Sequence, residues 1–548
     1  MRISRISKTL GVAAAATLAL TACGGGGDSN SSGEAGDGNA IITADSVEPQ
    51  NPLVPTNTTE TGGGVVVQQI FNGLVTYDSE GKTQNDLAES IESEDKQTWT
   101  IKIKPDMKFT NGEAITAQSF VDSWNYGAAA KNAQGTSSFF EPIEGYEKVS
   151  AEGSKDDKMS GLKVVDDTTF TVKLVSPQSD FEQRLGYTAF APMPSSAFKD
   201  MKAFGENPVG YGPYKMAKDG AWQHNSAIEL VKNEDYKGPE AAKNGGITFK
   251  LYQNPDTAYQ DLISNNLDVL QQVPTGALGN YKSDLGDRYS DKPYAGIQTI
   301  AVPEYQDNWK GEAGKLRRQA LSMSINREEI TKVIFNETRL PATDFTAPTI
   351  EGYQEDLPNS ENTKFDAEKA KELWAKAEKI QPYNKSQKLT IAYNADAGGH
   401  KKWVDAVANQ IENNLGIEVE GKSYSTFKEL RTDAKAGKLT GATRSGWQAD
   451  YPSMYNFMGP TFSKGASSND SRYDNPEFEA KLNEGLEAKS TEDGVKKFQE
   501  ADSMLLEDLP SIPLWYNQAN TAWSENVSGV GTGWDGVPEY YKVEKTAN

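Results

Sequence analysis

The chain has 548 residues, a formal charge of −22, one cysteine and two histidines, with ten tryptophans and 23 tyrosines. This length exceeds what one hydrophobic core normally serves, so two or more domains are expected. The acidic balance excludes a body drawn to nucleic acid or anionic lipid, and the lone cysteine excludes an intramolecular disulfide.

In chain order, the first element is not part of the fold. Arg2, Arg5 and Lys8 make a basic segment, Leu10 to Ala19 a short apolar run, and Leu20-Thr21-Ala22 leads into Cys23. This three-part pattern predicts a secretory signal over 1–22. The apolar run is too short for a lasting bilayer span, and no later stretch is long enough either. Leu20 to Cys23 also resembles a bacterial lipobox, which implies lipidation of Cys23 and attachment to a membrane through the lipid. From Gly24 the chain reads GGGGDSNSSGEAGDGNA. It has almost nothing to bury, so 23–40 is expected to be a flexible tether reaching roughly 22 Å.

The body interleaves strands and helices. In TWTIKIKP, Trp99, Ile101 and Ile103 alternate with Thr100 and Lys102; in TTFTVKLV, Phe170, Val172 and Leu174 alternate with Thr171 and Lys173. Both predict half-buried strands, and IELVKN before Asp235 predicts another. FDAEKAKELWAKAEKI predicts a helix capped by Asp366, with Ala370, Leu373, Trp374 and Ala377 on its apolar face. STFKELRTDAKAG carries a Thr426-x-x-Glu429 capping box and stops at Gly437. The fold class is α/β.

Several catalytic patterns are missing. With two histidines, His224 and His400, and the only thiol at the cleavage point, nucleophilic triads have little material. There is no G-x-S-x-G elbow, P-loop, H-E-x-x-H or Cys/His zinc cluster. No cofactor and no metal site are expected. Carboxylates are abundant, which leaves open a surface hydrolase built on two of them; most are expected to be solvated surface, and the protein is read as a binding module and not an enzyme.

Six segments in order resemble the extracytoplasmic solute-binding proteins of the peptide/nickel ABC-importer family. They are Thr98 to Trp124, NPVGYGPY (Asn207 to Tyr214), VKNEDYKG (Val231 to Gly238), LRRQALSMSINREEI (Leu316 to Ile330), FDAEKAKELW and NLGIEVE. The fourth matches a single helix of that family, with Asn326 for its commoner Asp. The resemblance implies a two-lobed periplasmic-binding-protein-like fold with a hinge and an extra subdomain in the N-terminal lobe. Lobe I would comprise 41–70, 186–293 and 518–548, the extra subdomain 71–185, and lobe II 294–517, with crossovers near Tyr294–Val302 and Pro513–Asn520. It implies ligand capture by hinge closure, delivery to ABC permease subunits, and a monomer.

Within that family, SGWQADYPS resembles the oligopeptide-binding branch. The resemblance implies that Asp450 holds a peptide amino group, Arg444 a peptide carboxylate, and His400, in YNADAGGHKK, the carboxylate of longer peptides. Tyr424 falls where that branch has a pocket-lining Trp. Elementary chemistry agrees that an enclosed zwitterion needs both charges met. Positions 444, 446, 448 and 450 share parity, so an extended chain turns Gly446, Gln448 and both charged residues to one face. Gly446 would let a peptide backbone approach, and Trp447 would pack beside it. The alternatives are a surface ion pair between Arg444 and Asp450, another solute of the family (a nickel chelate, haem or oligosaccharide), and a peptide-sensing co-receptor.

Overall fold

Two thirteen-residue strands, Tyr289–Ala301 and Ser511–Trp523, pair antiparallel and carry the rest of a twelve-stranded sheet on their outer edges. The computed structural model describes residues 38–395, 399–466 and 468–546. The expected signal segment, Cys23 and most of the tether lie outside the described residues. The segments expected to cross between lobes overlap the two long strands, with Val302 one residue past the end of the first. Their ladder shifts register between Pro293 and Ile297, and again between Gln298 and Thr299. Pro293 has no N–H to give the ladder.

On one side the sheet continues through Val269–Leu270, Ile41–Ser46, Gly246–Leu251, Ala227–Lys232 and Tyr214–Met216. On the other it continues through Ala442–Gln448, Leu389–Asn394 and Val419–Tyr424. Ile41–Ser46 runs parallel to Gly246–Leu251, and Leu389–Asn394 runs parallel to both of its neighbours. Helix His400–Leu415 makes one such parallel crossover, which needs a long connection. Separate hydrophobic clusters lie under the two sides, one around Ile42, Ile247 and Phe249, the other around Ile391, Trp403 and Trp515.

A second sheet is purely antiparallel, in the order Ala88–Glu92, Thr98–Ile103, Thr169–Lys173, Leu162–Asp166. Alternation in Thr98–Ile103 buries Trp99, Ile101 and Ile103. Helix Ala117–Ala128 covers this sheet, with Phe120 stacked on Phe170 and the Trp124 indole N–H donating to the Phe190 carbonyl at 2.9 Å. The sheet therefore has its own core, distinct from the two clusters above.

Local capping sets several helix ends. The Asp366 side chain accepts from Lys369 N–H, and the following helix Ala367–Ile380 buries Ala370, Leu373, Trp374 and Ala377. Thr426 caps Phe427–Lys435, which stops before Gly437 at φ +67°. The segment Leu316 to Ile330, read as one helix, is two: Gly311–Met323 and Arg327–Phe335. The break follows from Asn326, whose side chain caps the second helix by accepting from Glu329 N–H at 3.0 Å. The Arg327 side chain then reaches the central strand, donating to the Pro513 carbonyl at 2.7 Å.

Candidate functional site

Strand Ala442–Gln448 lies against the long strand Tyr289–Ala301, with Ile300, Gln298 and Gly296 opposite Arg444, Gly446 and Gln448. Just past its end, Ala449 N–H donates to the Ala295 carbonyl at 2.8 Å, and Ala295 N–H donates to the Trp534 carbonyl at 2.8 Å. Helix Met454–Phe462 follows, capped by Ser453. In its first turn Asn456, 1% exposed, folds back on the loop. Its Oδ1 accepts from the N–H of Asp450 and from the indole N–H of Trp447, both at 2.9 Å. Its amide nitrogen donates to Asp450 Oδ2 at 3.3 Å.

Thus oriented, Asp450 opens onto a cavity of about 350 Å³. The facing wall comes from distant parts of the chain, including Gln68, Tyr77, Tyr187, Glu240 and the pair Trp534-Asp535. The Gln448 side-chain amide bridges the walls by donating to the Asp535 carbonyl at 3.0 Å, and within the facing wall Tyr77 meets Trp534 edge-on at 5.2 Å. Burial pushes the Asp450 carboxyl up to about 7, against the opposing hydrogen bond from Asn456. Among the described residues no Lys or Arg pairs with it. A carboxylate held in place, half-buried and lacking a counter-ion is equipped to receive an ammonium group.

The other expected site residues are distributed over three places. Gln448 lines the same cavity as Asp450. Gly446 and Trp447 border a small pocket of about 20 Å³ on the other side of the strand. A Cβ at Gly446 would stand 2.6 Å from the Ile297 carbonyl oxygen, so the close approach this glycine permits is that of the neighbouring strand. Trp447 packs partly against the core around Phe457 and Leu505. Arg444 is not in the wall of the Asp450 cavity. Its Nε donates to Asn394 Oδ1 at 2.9 Å and its guanidinium lies 4.6 Å from the Phe427 ring centroid. Tyr424 is the strand partner of Asn394, with its hydroxyl 3.4 Å from Asp433 Oδ2. His400 opens helix His400–Leu415, and its Nδ1 accepts from the Trp403 indole at 3.1 Å. Arg444, Tyr424 and Asn394 thus share one neighbourhood.

Sequence reasoning missed Asn456, Glu240, Tyr77, Tyr187 and Asp535. Asp535 had a visible sign in GTGWDG, where an aromatic and a carboxylate sit between glycines. Glu240 and Tyr187 had none, because their place in the cavity depends on packing between distant segments.

The family described as bacterial extracellular solute-binding proteins, family 5, middle region, matches residues 82–469. The oligopeptide-binding protein OppA of Bacillus subtilis is 28% identical over 543 residues, covering 94% of this chain and 96% of that protein. Among solved structures, Haemophilus influenzae OppA in complex with the peptide RPPGFSPFR is 26% identical, with a TM-score of 0.76 over 93% of this chain and 100% of that one. The unliganded open form of the periplasmic murein tripeptide-binding protein MppA gives a TM-score of 0.77 over 94% of this chain and 99% of that one at 21% identity, a likeness of fold.

Proposed function

The chain belongs to the bacterial extracellular solute-binding proteins of family 5, and from that premise we propose that it captures oligopeptides in the cavity beside Asp450 and delivers them to an ABC permease. The observation that carries this reading is the Asp450 carboxylate, oriented by Asn456, half-buried and without a cationic partner among the described residues. A free peptide amino group supplies the missing charge. The cavity volume sits near the lower end of ligand sites, roughly 300–1,000 Å³, which suits the first residues of a short peptide.

The lobes would be divided as expected from the sequence: 41–70, 186–293 and 518–548 in one, 294–517 in the other, and 71–185 as the added subdomain. The long paired strands then serve as crossovers, and closure moves the Asp450 wall against the Glu240 wall. Arg444, on the same strand as Gly446, is proposed to receive a peptide carboxylate, with His400 and Tyr424 nearer the far end of longer peptides. Cys23 would carry the lipid that keeps the protein at the outer face of a membrane, and the protein would act as a monomer that turns over no substrate. The relatedness to OppA proteins over nearly the whole chain supports the ligand class.

Native mass spectrometry of the purified full chain tests this before any ligand is added. Heterogeneous adducts at peptide masses, released on denaturation, are expected. A single sharp adduct at the mass of haem, a sugar or a metal chelate would overturn the peptide assignment.

A further inference from the structure

We propose that the Asp450 cavity receives a second positive charge, a Lys or Arg side chain near the peptide's amino terminus, on Glu240 and Asp535. This inference rests on the peptide reading above and narrows it to peptides that are basic at their leading end.

Six acidic side chains line the cavity: Glu60, Asp78, Glu240, Asp450, Asp535 and Glu539. Among the described residues no Lys, Arg or His lines it. Three of the six are engaged within their own segments. Glu60 caps helix Thr61–Ile70, with both oxygens accepting from Gly63 N–H at 3.0 Å. Glu539 pairs with Lys542 at 2.8 Å. Asp78 accepts from the backbone N–H groups of Glu80 and Lys82. The remaining three, Asp450, Glu240 and Asp535, also have no cationic partner among the described residues, and neutral side chains from other elements orient them. Glu240 takes hydrogen bonds from Asn72 Nδ2 at 2.7 Å and Thr76 Oγ1 at 2.8 Å. Asp535 takes them from Gln68 Nε2 at 3.2 Å and Val537 N–H at 3.0 Å.

Carboxylates withdrawn from water without a counter-ion are unfavourable. One peptide ammonium answers one of them. Behind Glu240 the fully buried Asp86 shares the same Asn72 amide nitrogen at 2.7 Å and adds to the negative potential. Asn72, 5% exposed and also in the cavity wall, orients Glu240 through its amide nitrogen, which donates to Asp86 and the Tyr236 hydroxyl as well. The rings of Tyr77, Tyr187, Trp534 and Tyr541 also line the cavity, and aromatic faces attract such cations. Among the described residues no three metal-ligating side chains converge, so the spread of charge fits an extended organic cation better than a metal ion.

The test is titration calorimetry of the purified full chain with tetra-alanine and with variants carrying Lys or its uncharged isostere norleucine at position one, two or three. At one of these positions Lys should bind more tightly than norleucine by roughly tenfold or more, as expected for a charge-assisted hydrogen bond. Glu240→Gln and Asp535→Asn should each shrink that Lys-to-norleucine ratio, and added salt should shrink it in the wild type. A ratio near one at all three positions, with tetra-alanine still bound, would overturn the cationic subsite and leave the peptide reading intact. Failure of every tetrapeptide to bind, with or without Lys, would overturn both.

Discussion

Asn456 holds Asp450 at two points, accepting its backbone N–H at 2.9 Å and donating to its carboxylate at 3.3 Å. The same amide oxygen accepts from Trp447, so one side chain in the first turn of a helix fixes the end of the preceding strand. Asn456→Ala should leave two N–H donors without an acceptor and destabilise the protein by about 1–3 kcal/mol. Urea unfolding reads this directly. An unchanged midpoint would show that the loop finds its position by other means.

Asp450→Asn keeps the shape of the site and removes its charge. Affinity for peptides with a free amino terminus should fall by roughly 2–5 kcal/mol, as for loss of one partner of a desolvated charge pair. N-acetylation of the peptide should weaken binding to the wild type comparably and have little further effect on the variant. Equal affinity for free and acetylated peptides on the wild type would remove the amino-group role.

The pH dependence follows from the direction of the carboxyl shifts. Burial pushes Asp450 and Glu240 each up from the usual carboxylate range to about 7, and Asp86 up to about 6. Each group holds its proton more tightly in the folded state than in the unfolded chain, so its contribution to stability is full below about pH 4 and is lost as pH rises through 6 to 7. The thermal midpoint of the ligand-free protein should therefore fall between pH 5 and 8. A bound ammonium favours the ionised carboxylates, so peptide affinity should rise over the interval from pH 5 to about 7.5, before the peptide amine itself deprotonates. A ligand-free midpoint that climbs over that interval would contradict the assignment.

A buried ion pair, Arg184 with Asp180, packs against the segment that follows Asp450. Arg184 lies 3.3 Å from Asp180, and its guanidinium sits 5.2 and 5.3 Å from the ring centroids of Tyr451 and Tyr455. Ser453 Oγ donates to Asp180 Oδ2 at 3.1 Å. Asp180→Ala strands a buried guanidinium and should destabilise by about 3–5 kcal/mol. Adding Arg184→Met should recover part of that loss, since no unpaired charge then remains. Chemical denaturation of the two variants separates a buried charge penalty from simple loss of packing.

The sequence by itself determined the local structure and the family. Trp99, Ile101 and Ile103 sit on one face because side chains alternate along a strand, and the Asp366 and Thr426 caps follow from the short reach of their oxygens to the next free N–H groups. Asp450 was legible as a candidate because SGWQADYPS resembles the oligopeptide-binding branch over a continuous stretch. Asn326 shows the limit even at short range: read within a helix, it begins a new one, because its side chain competes for the backbone N–H of Glu329. Only the tertiary structure decided what stands opposite Asp450. Glu240 and Asp535 reach the cavity from segments 210 residues earlier and 85 residues later in the numbering, and no periodicity links them. It also left Arg444 out of the wall of the Asp450 cavity. Shared parity gives two residues a common direction only while the strand lasts; this one ends at Gln448, and the loop pinned by Asn456 sets where Asp450 points.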